Sequence, residues 1–257
     1  MPASSEQHIA NLLTSAVRQL DRGNAAAAEA TVRQVMADHP WHPPALSVFA
    51  RCRFAQGDVL GAQQALQQAL EIDPDFADAH HMFGQLFMNA GRMPDALQAF
   101  KRAVELDPDF LEPRVNLATV LMRDGHLEAA LEHLDHAIRL DKRVPEVHFF
   151  KGECYRAQRR APEAAAAYGE AARLRPDFFE AQMNWGLMLR AAGESERAIR
   201  AFKKAKSLSP KFAEAKNQLG LSLIECGDYI NGLKEIGAAT GFIEFRTKGD
   251  ARFSLVG

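Results

Sequence analysis

Residues 77–110 read ADAHHMFGQLFMNAGRMPDALQAFKRAVELDPDF, and residues 111–144 read LEPRVNLATVLMRDGHLEAALEHLDHAIRLDKRV; the two align column by column without a gap. Working outward from this pair, the chain returns to itself in windows of 34 residues at 9–42, 43–76, 77–110, 111–144, 145–178, 179–212 and 213–246. The eighth column is Ala16, Ala50, Gly84, Ala118, Gly152, Gly186 and Gly220, and the twentieth is Ala28, Ala62, Ala96, Ala130, Ala164, Ala198 and Gly232. The twenty-fourth is always bulky: Val32, Leu66, Phe100, Leu134, Tyr168, Phe202 and Ile236. Small residues recurring opposite large ones are what two closely apposed helices need if their side chains are to interlock. Gly23, Gly57, Gly91, Gly125, Gly193 and Gly227 break each window in the middle, and Pro40, Pro74, Pro108, Pro176 and Pro210 break it near the end. The pattern predicts two helices per window and an all-α chain.

The period and these columns resemble the tetratricopeptide repeat, a helix-turn-helix unit of the same length. Asp73-Pro74-Asp75-Phe76, Asp107-Pro108-Asp109-Phe110 and Arg175-Pro176-Asp177-Phe178 resemble its inter-repeat turn, and Trp185-Gly186 its large-small pair in the first helix. The resemblance implies a right-handed α-solenoid over 9–240, with an N-terminal tail at 1–8 and a C-terminal segment at 241–257. A repeat array is expected to act as one elongated domain whose core runs its whole length.

With 31 Lys and Arg against 33 Asp and Glu, the chain has a formal charge of -2. Basic residues spread through the repeats argue against a nucleic-acid partner, and no apolar run approaches the roughly 20 residues that span a bilayer. No N-terminal basic segment leads into an apolar stretch, so no membrane partner and a cytoplasmic location are expected. Cys52 and Cys154 share a column three repeats apart, too far to bridge, and read as small packing residues.

Three places depart from the pattern. Ser15 and Gln19 make the first repeat more polar, as a terminal repeat with one neighbour requires. In the fifth, Lys142 replaces the closing proline, Arg159 replaces the turn glycine, and Lys151 follows Phe149 and Phe150 at a usually apolar position. Either Lys151 snorkels past its neighbours to water, or the repeat is locally reshaped and offers the Phe pair to a ligand. After Ala239, Phe242–Arg246 and Ala251–Val256 read as two strands around a Thr247–Asp250 turn. A lone hairpin is marginal in water, so Phe242, Phe245, Phe253 and Leu255 are expected to cap the last repeat, the rival reading being that the hairpin begins another domain or pairs with a partner strand.

Catalytic arrangements are not found. His133 and His136 lie three apart on a second helix without a third metal ligand, and His80 with His148 recurs in a packing column, so neither a metal nor a cofactor is expected. In the tetratricopeptide family the first helices line an inner groove, and by column that groove comprises Arg51, Phe54, Met82, Gln85, Met88, Asn116, Thr119, Arg123, Phe149, Phe150, Glu153, Arg156, Asn184, Leu187 and Arg190. Asn116 and Asn184, with Gln218, resemble the asparagine ladder of O-linked N-acetylglucosamine transferase repeats, which holds a peptide backbone; Met82 and Phe150 interrupt it. Ser47, Met82 and Val115 stand where the carboxylate clamp of chaperone-binding repeats would carry Lys, Asn and Arg, which argues against chaperone C-termini. The expected function is a non-enzymatic scaffold that binds an extended peptide or a helix of a partner protein. A substrate-recruiting arm of a glycosyltransferase, sulfotransferase or methyltransferase, or a self-associating scaffold, are the alternatives.

Overall fold

The computed structural model describes residues 2–240, 242–246 and 252–256; side chains at 1–4 and 241–257 lie outside the described residues. The helices gather into two compact units, Met1–Asp124 and Gly125–Gly257. The first holds α1 (Pro2–Asp21), α2 (Ala25–Asp38), α3 (Pro43–Ala55), α4 (Val59–Ile72), α5 (Ala77–Asn89), α6 (Met93–Leu106) and α7 (Leu111–Arg123). The second holds α8 (Leu127–Leu140), α9 (Pro145–Ala157), α10 (Ala161–Leu174), α11 (Phe179–Ala191), α12 (Ser195–Leu208), α13 (Ala213–Glu225) and α14 (Tyr229–Thr240), followed by β1 (Phe242–Arg246) and β2 (Arg252–Val256). The fourteen helices fall where the period places them, two to a window. α1 reaches back to Pro2, so residues 2–8, read as a tail, are helical.

The halves of each repeat are joined by a left-handed residue that closes the first helix. Gly57, Gly91, Gly193 and Gly227 have φ between 73° and 84°, and the amide after each turns back to a carbonyl five residues earlier, as Asp58 does to Arg53 and Arg92 to Phe87. Arg159 occupies the same place with φ 60°, the one non-glycine with positive φ among the described residues, and Arg160 still bonds back to the Tyr155 carbonyl at 2.9 Å. The fifth repeat therefore keeps the common turn and bears the steric cost of a Cβ there. Lys151 is held rather than merely extended to water: its ammonium lies 2.5 Å from the Asp135 carboxylate of the preceding helix.

The turns between repeats are built from the Asp-Pro-Asp-Phe signature. The Asp73 carboxylate accepts from the Asp75 amide at 3.1 Å, and Asp107 accepts from Asp109 in the same way, while Phe76 and Phe110 amides close the turn onto the Asp73 and Asp107 carbonyls. A side chain in the fourth column then ties each turn to the following helix. His80, Arg114, His148 and Gln182 donate to the carbonyls of Pro74, Pro108, Lys142 and Pro176, each six residues back. Packing and turn-fixing together account for the histidine column.

The core follows the small-against-large columns. A methyl group on Gly84 would stand 2.5 Å from the Phe100 ring, one on Gly152 2.7 Å from Tyr168, and one on Gly186 2.6 Å from Phe202. All three rings are fully buried, as are the alanines of the twentieth column from Ala28 to Ala198. In the last repeat Gly220 and Gly232 bring backbone against backbone, each too close to the other's carbonyl to admit a Cβ. Cys52 and Cys154 are buried and unbridged, and burial pushes each thiol up to about 11.

β1 and β2 pair antiparallel with Phe242 opposite Val256 and Phe245 opposite Phe253. The expected cover of the last repeat by these side chains falls outside the described residues.

Gly186→Ala is expected to cost roughly 1–3 kcal/mol, because Phe202 has no room to retreat. Arg159→Gly should instead gain about 0.5–1 kcal/mol, the relief of the left-handed strain less the added freedom of the unfolded chain. Denaturant unfolding of both variants checks the pair, and an Arg159→Gly protein less stable than the parent would contradict the turn geometry.

Candidate functional site

The candidate face is assembled from first helices. In the first unit α1, α3, α5 and α7 lie side by side, and in the second α11 lies beside α13. The column arithmetic brings Arg51, Phe54, Gln85, Met88 and Thr119 to half-exposed positions and Arg123 to an exposed one. Phe54 also packs on the core, and the Thr119 hydroxyl donates to the Val115 carbonyl of its own helix. Arg123 closes α7 beside a shallow cavity of about 250 Å³ that it shares with Met93, Pro94, Leu97, Val120 and Asp124. Met82 is a correction: it is 3% exposed, inside the cluster of Leu46, Ala50, Leu66 and Leu86, and cannot meet a ligand. An unbranched apolar chain on α5 is drawn into the gap between neighbouring helices whenever that gap is dry.

Asn116 bonds to the neighbouring repeat. Its amide donates to His81 Nε2 at 3.0 Å, and the ring of His81 is wedged against Phe100 and Phe110. Burial drives the His81 pKa down to about 4, the Asp78 carboxylate opposing, so the ring is neutral at pH 7 and free to accept. Beside it the Ser47 hydroxyl donates to Asp78.

The second unit carries a denser network centred on Glu153. One carboxylate oxygen accepts from the Tyr168 hydroxyl at 2.5 Å and from the Asn184 amide at 3.1 Å; the other accepts from Arg156 at 2.5 Å. Hydrogen bonding to Glu153 raises the Arg156 pKa, and burial, then Glu153, raises that of Tyr168. Arg190 is similarly held by Gln218 and by Glu225 at 3.0 Å. Phe150 and Leu187, three residues from Glu153 and Asn184 on their own helices, are both half-buried, and Leu187 packs on the core. Phe149 is taken up in packing, its ring centroid 4.9 Å from Phe178 and 5.5 Å from Tyr168, so the Phe pair is not jointly available to a ligand.

Sequence reasoning assigned Glu153, Arg156 and Asn184 to the groove but missed that they bind one another, and it passed over His81 and Tyr168 as participants. The signal was present in the spacing: Glu153 to Asn184 and His81 to Asn116 are each one period apart, give or take one helical turn. Among the described residues no group of three His, Cys, Asp or Glu is placed to hold a metal, and no helix is long and apolar enough to cross a membrane.

Stacked helix pairs with a ladder of inter-repeat side-chain bonds define a helical-repeat protein. The chain belongs to the tetratricopeptide repeat family: two models of that repeat match it, one at residues 19–86, 53–109 and 87–154 and the other at 156–213. Among solved structures it is similar to PilF of Pseudomonas aeruginosa (18% identity, covering 80% of this chain and 93% of that one, TM-score 0.69). It is also similar to YrrB, described as a TPR protein with an unusual peptide-binding site (19%, 69% and 91%, 0.63), and to MamA (24%, 63% and 89%, 0.59). At these identities the likeness extends to the fold. No curated protein matches the chain.

A neutral, buried His81 has a testable consequence. Its folded pKa lies below the ordinary 6.5, so the stability it allows is fully present above pH 6.5 and is lost as pH falls toward 4. The loss approaches about 1.4 kcal/mol per pH unit across that window. Unfolding of the parent and His81→Gln between pH 7 and 5 should show the slope largely removed in the variant, the remainder belonging to His42, whose pKa burial also lowers. An unchanged slope would place the titrating group elsewhere.

Proposed function

We propose that the chain is a non-enzymatic protein-interaction scaffold, and that the first helices of its repeats take an extended peptide or a helix from a partner protein. The observation that carries this reading is the Glu153 network. It fixes Arg156 and Asn184 in one geometry while leaving N–H groups on each unspent, since a guanidinium has five and an amide two. Half-buried Phe150 and Leu187 beside them supply apolar anchors. Groups held in place before binding lose little entropy when a ligand arrives, which favours a surface built to dock rather than to catalyse. The first unit offers a second such stretch of its own in Arg51, Gln85, Met88 and Asn116. The relative whose structure is described by its peptide-binding site shares this fold. A cytoplasmic setting and the absence of cofactors belong to the same reading.

Peptides selected from a random displayed library against the full chain provide the test. Asn184→Ala with Arg156→Glu is expected to weaken the selected peptides by roughly tenfold or more, about 1.4 kcal/mol, while circular dichroism stays unchanged. Asn116→Ala should do the same only for peptides held by the first unit. Selected peptides that bind every one of these variants as well as the parent would mean that the ligand surface is not the first-helix face.

A further inference from the structure

The sequence of α12, SERAIRAFKKAKSL, divides into two faces. Ala198, Ala201, Phe202 and Ala205 are buried at helical spacing, so Arg200, Lys203, Lys204 and Ser207 stand together on the opposite, exposed face. Lys211 follows in the next turn. Elsewhere in this repeat cations are matched: Arg197 meets Glu194, and Lys206 is held by both oxygens of Glu235 at 2.6 and 2.8 Å. Arg200, Lys203, Lys204 and Lys211 make no ion pair among the described residues. The corresponding columns of α4 carry Gln64, Gln67 and Gln68, and those of α8 carry Glu132, Asp135 and His136. α6 carries Lys101 and Arg102 there, Arg102 paired with Asp75, so α12 with Arg200, Lys203 and Lys204 is the most basic of the second helices in these columns, and like charges three and four apart on a helix repel.

Beside this face the packing opens. In the preceding repeat the position that Lys203 occupies is Gly169, and Trp185, sixteen residues on, packs so tightly over it that a methyl group there would stand 2.9 Å from the indole nitrogen. In the sixth repeat the pair is Lys203 and Leu219, and a cleft of about 420 Å³ lies beside it. Exposed Pro210 gives it an apolar edge above Leu219, which is buried in the core; Lys203, Lys206 and Ser207 form one wall, and Glu235 stands with Lys206. Among the described residues no aromatic side chain lines the cleft for a base to stack on, and the exposed face of α12 has no large apolar residue to enter a bilayer.

We propose that this face is a second docking surface, separate from the first-helix face, for an acidic extended segment of a partner protein. One apolar side chain of that segment enters the cleft against Pro210, and its carboxylates pair with Arg200, Lys203, Lys204 and Lys211. Complementary charge at a rim mainly speeds encounter and selects the partner, while the recessed apolar contact holds it.

The test uses the full chain and a fluorescein-labelled synthetic peptide of alternating Glu, Asp and Leu, followed by anisotropy. Binding is expected, and it should weaken as salt rises through the physiological range. Lys203→Glu with Lys204→Glu should lower affinity about tenfold, and replacing the peptide's Leu by Ser should lower it several-fold. Asn184→Ala should leave it unchanged, which separates this surface from the first-helix face. If the charge reversals disturb folding, Lys203→Gln with Lys204→Gln must still weaken binding. The proposal is overturned if the peptide does not bind, if the Lys variants or the Leu-free peptide bind as well as their parents, or if phosphatidylserine vesicles or duplex DNA bind more tightly than the peptide.

Discussion

The close approach of paired helices is the constraint on which everything else rests. Where Gly84, Gly152 and Gly186 meet Phe100, Tyr168 and Phe202, the absence of one carbon lets an aromatic ring lie flush against a neighbouring backbone. The rings then vanish from solvent entirely, and the alanines of the twentieth column complete the seam. Repeating this contact every 34 residues fixes where each first helix stands and therefore which of its residues face outward. The outward chemistry is a by-product of the inward fit.

Tyr168 shows the connection most directly. Its ring fills the space above Gly152, and its hydroxyl emerges beside Glu153, where it joins Asn184 and Arg156 in a shared carboxylate network. Core and surface are thus linked through one side chain. A hydroxyl that must find a partner when buried supplies the reason that a tyrosine, rather than the phenylalanine used at Phe100 and Phe202, stands in this repeat.

The fold was almost wholly legible because its signals are steric and periodic. Positive φ requires glycine, a seam requires alanine or glycine, and a helix cannot continue through proline, so the columns state the architecture directly. Arg159 is instructive: the residue breaks the rule, yet the turn persists because the flanking helices determine it. The candidate face was legible in part. Column counting put Glu153, Arg156 and Asn184 on one face, where they bond one another, but it could not distinguish Met82, drawn into the core, from Met88, which is half-exposed, since both are apolar residues on α5. Likewise Phe149 and Phe150 are adjacent in sequence, and only the ring of Phe178 arriving from the next turn commits Phe149 to packing. Hydrogen-bond partners one period apart were hidden for a similar reason: a column says which face a residue is on, while the length and reach of its side chain decide whom it meets.

The side chains that bond His80, Arg114, His148 and Gln182 back to the preceding turn have a consequence for how the protein acquires its structure. Each such bond spans six residues, and the helices of each unit touch those next to them or next but one. No native pairing has to wait for distant parts of the chain to find each other, so little loop-closure entropy opposes any single step. Assembly can begin at any repeat and spread by templating its neighbour, and added repeats lengthen the array without making its search harder. Selection can therefore alter one repeat, as it has with the three kinds of side chain in this single column, while the rest of the chain continues to fold by the same local rules.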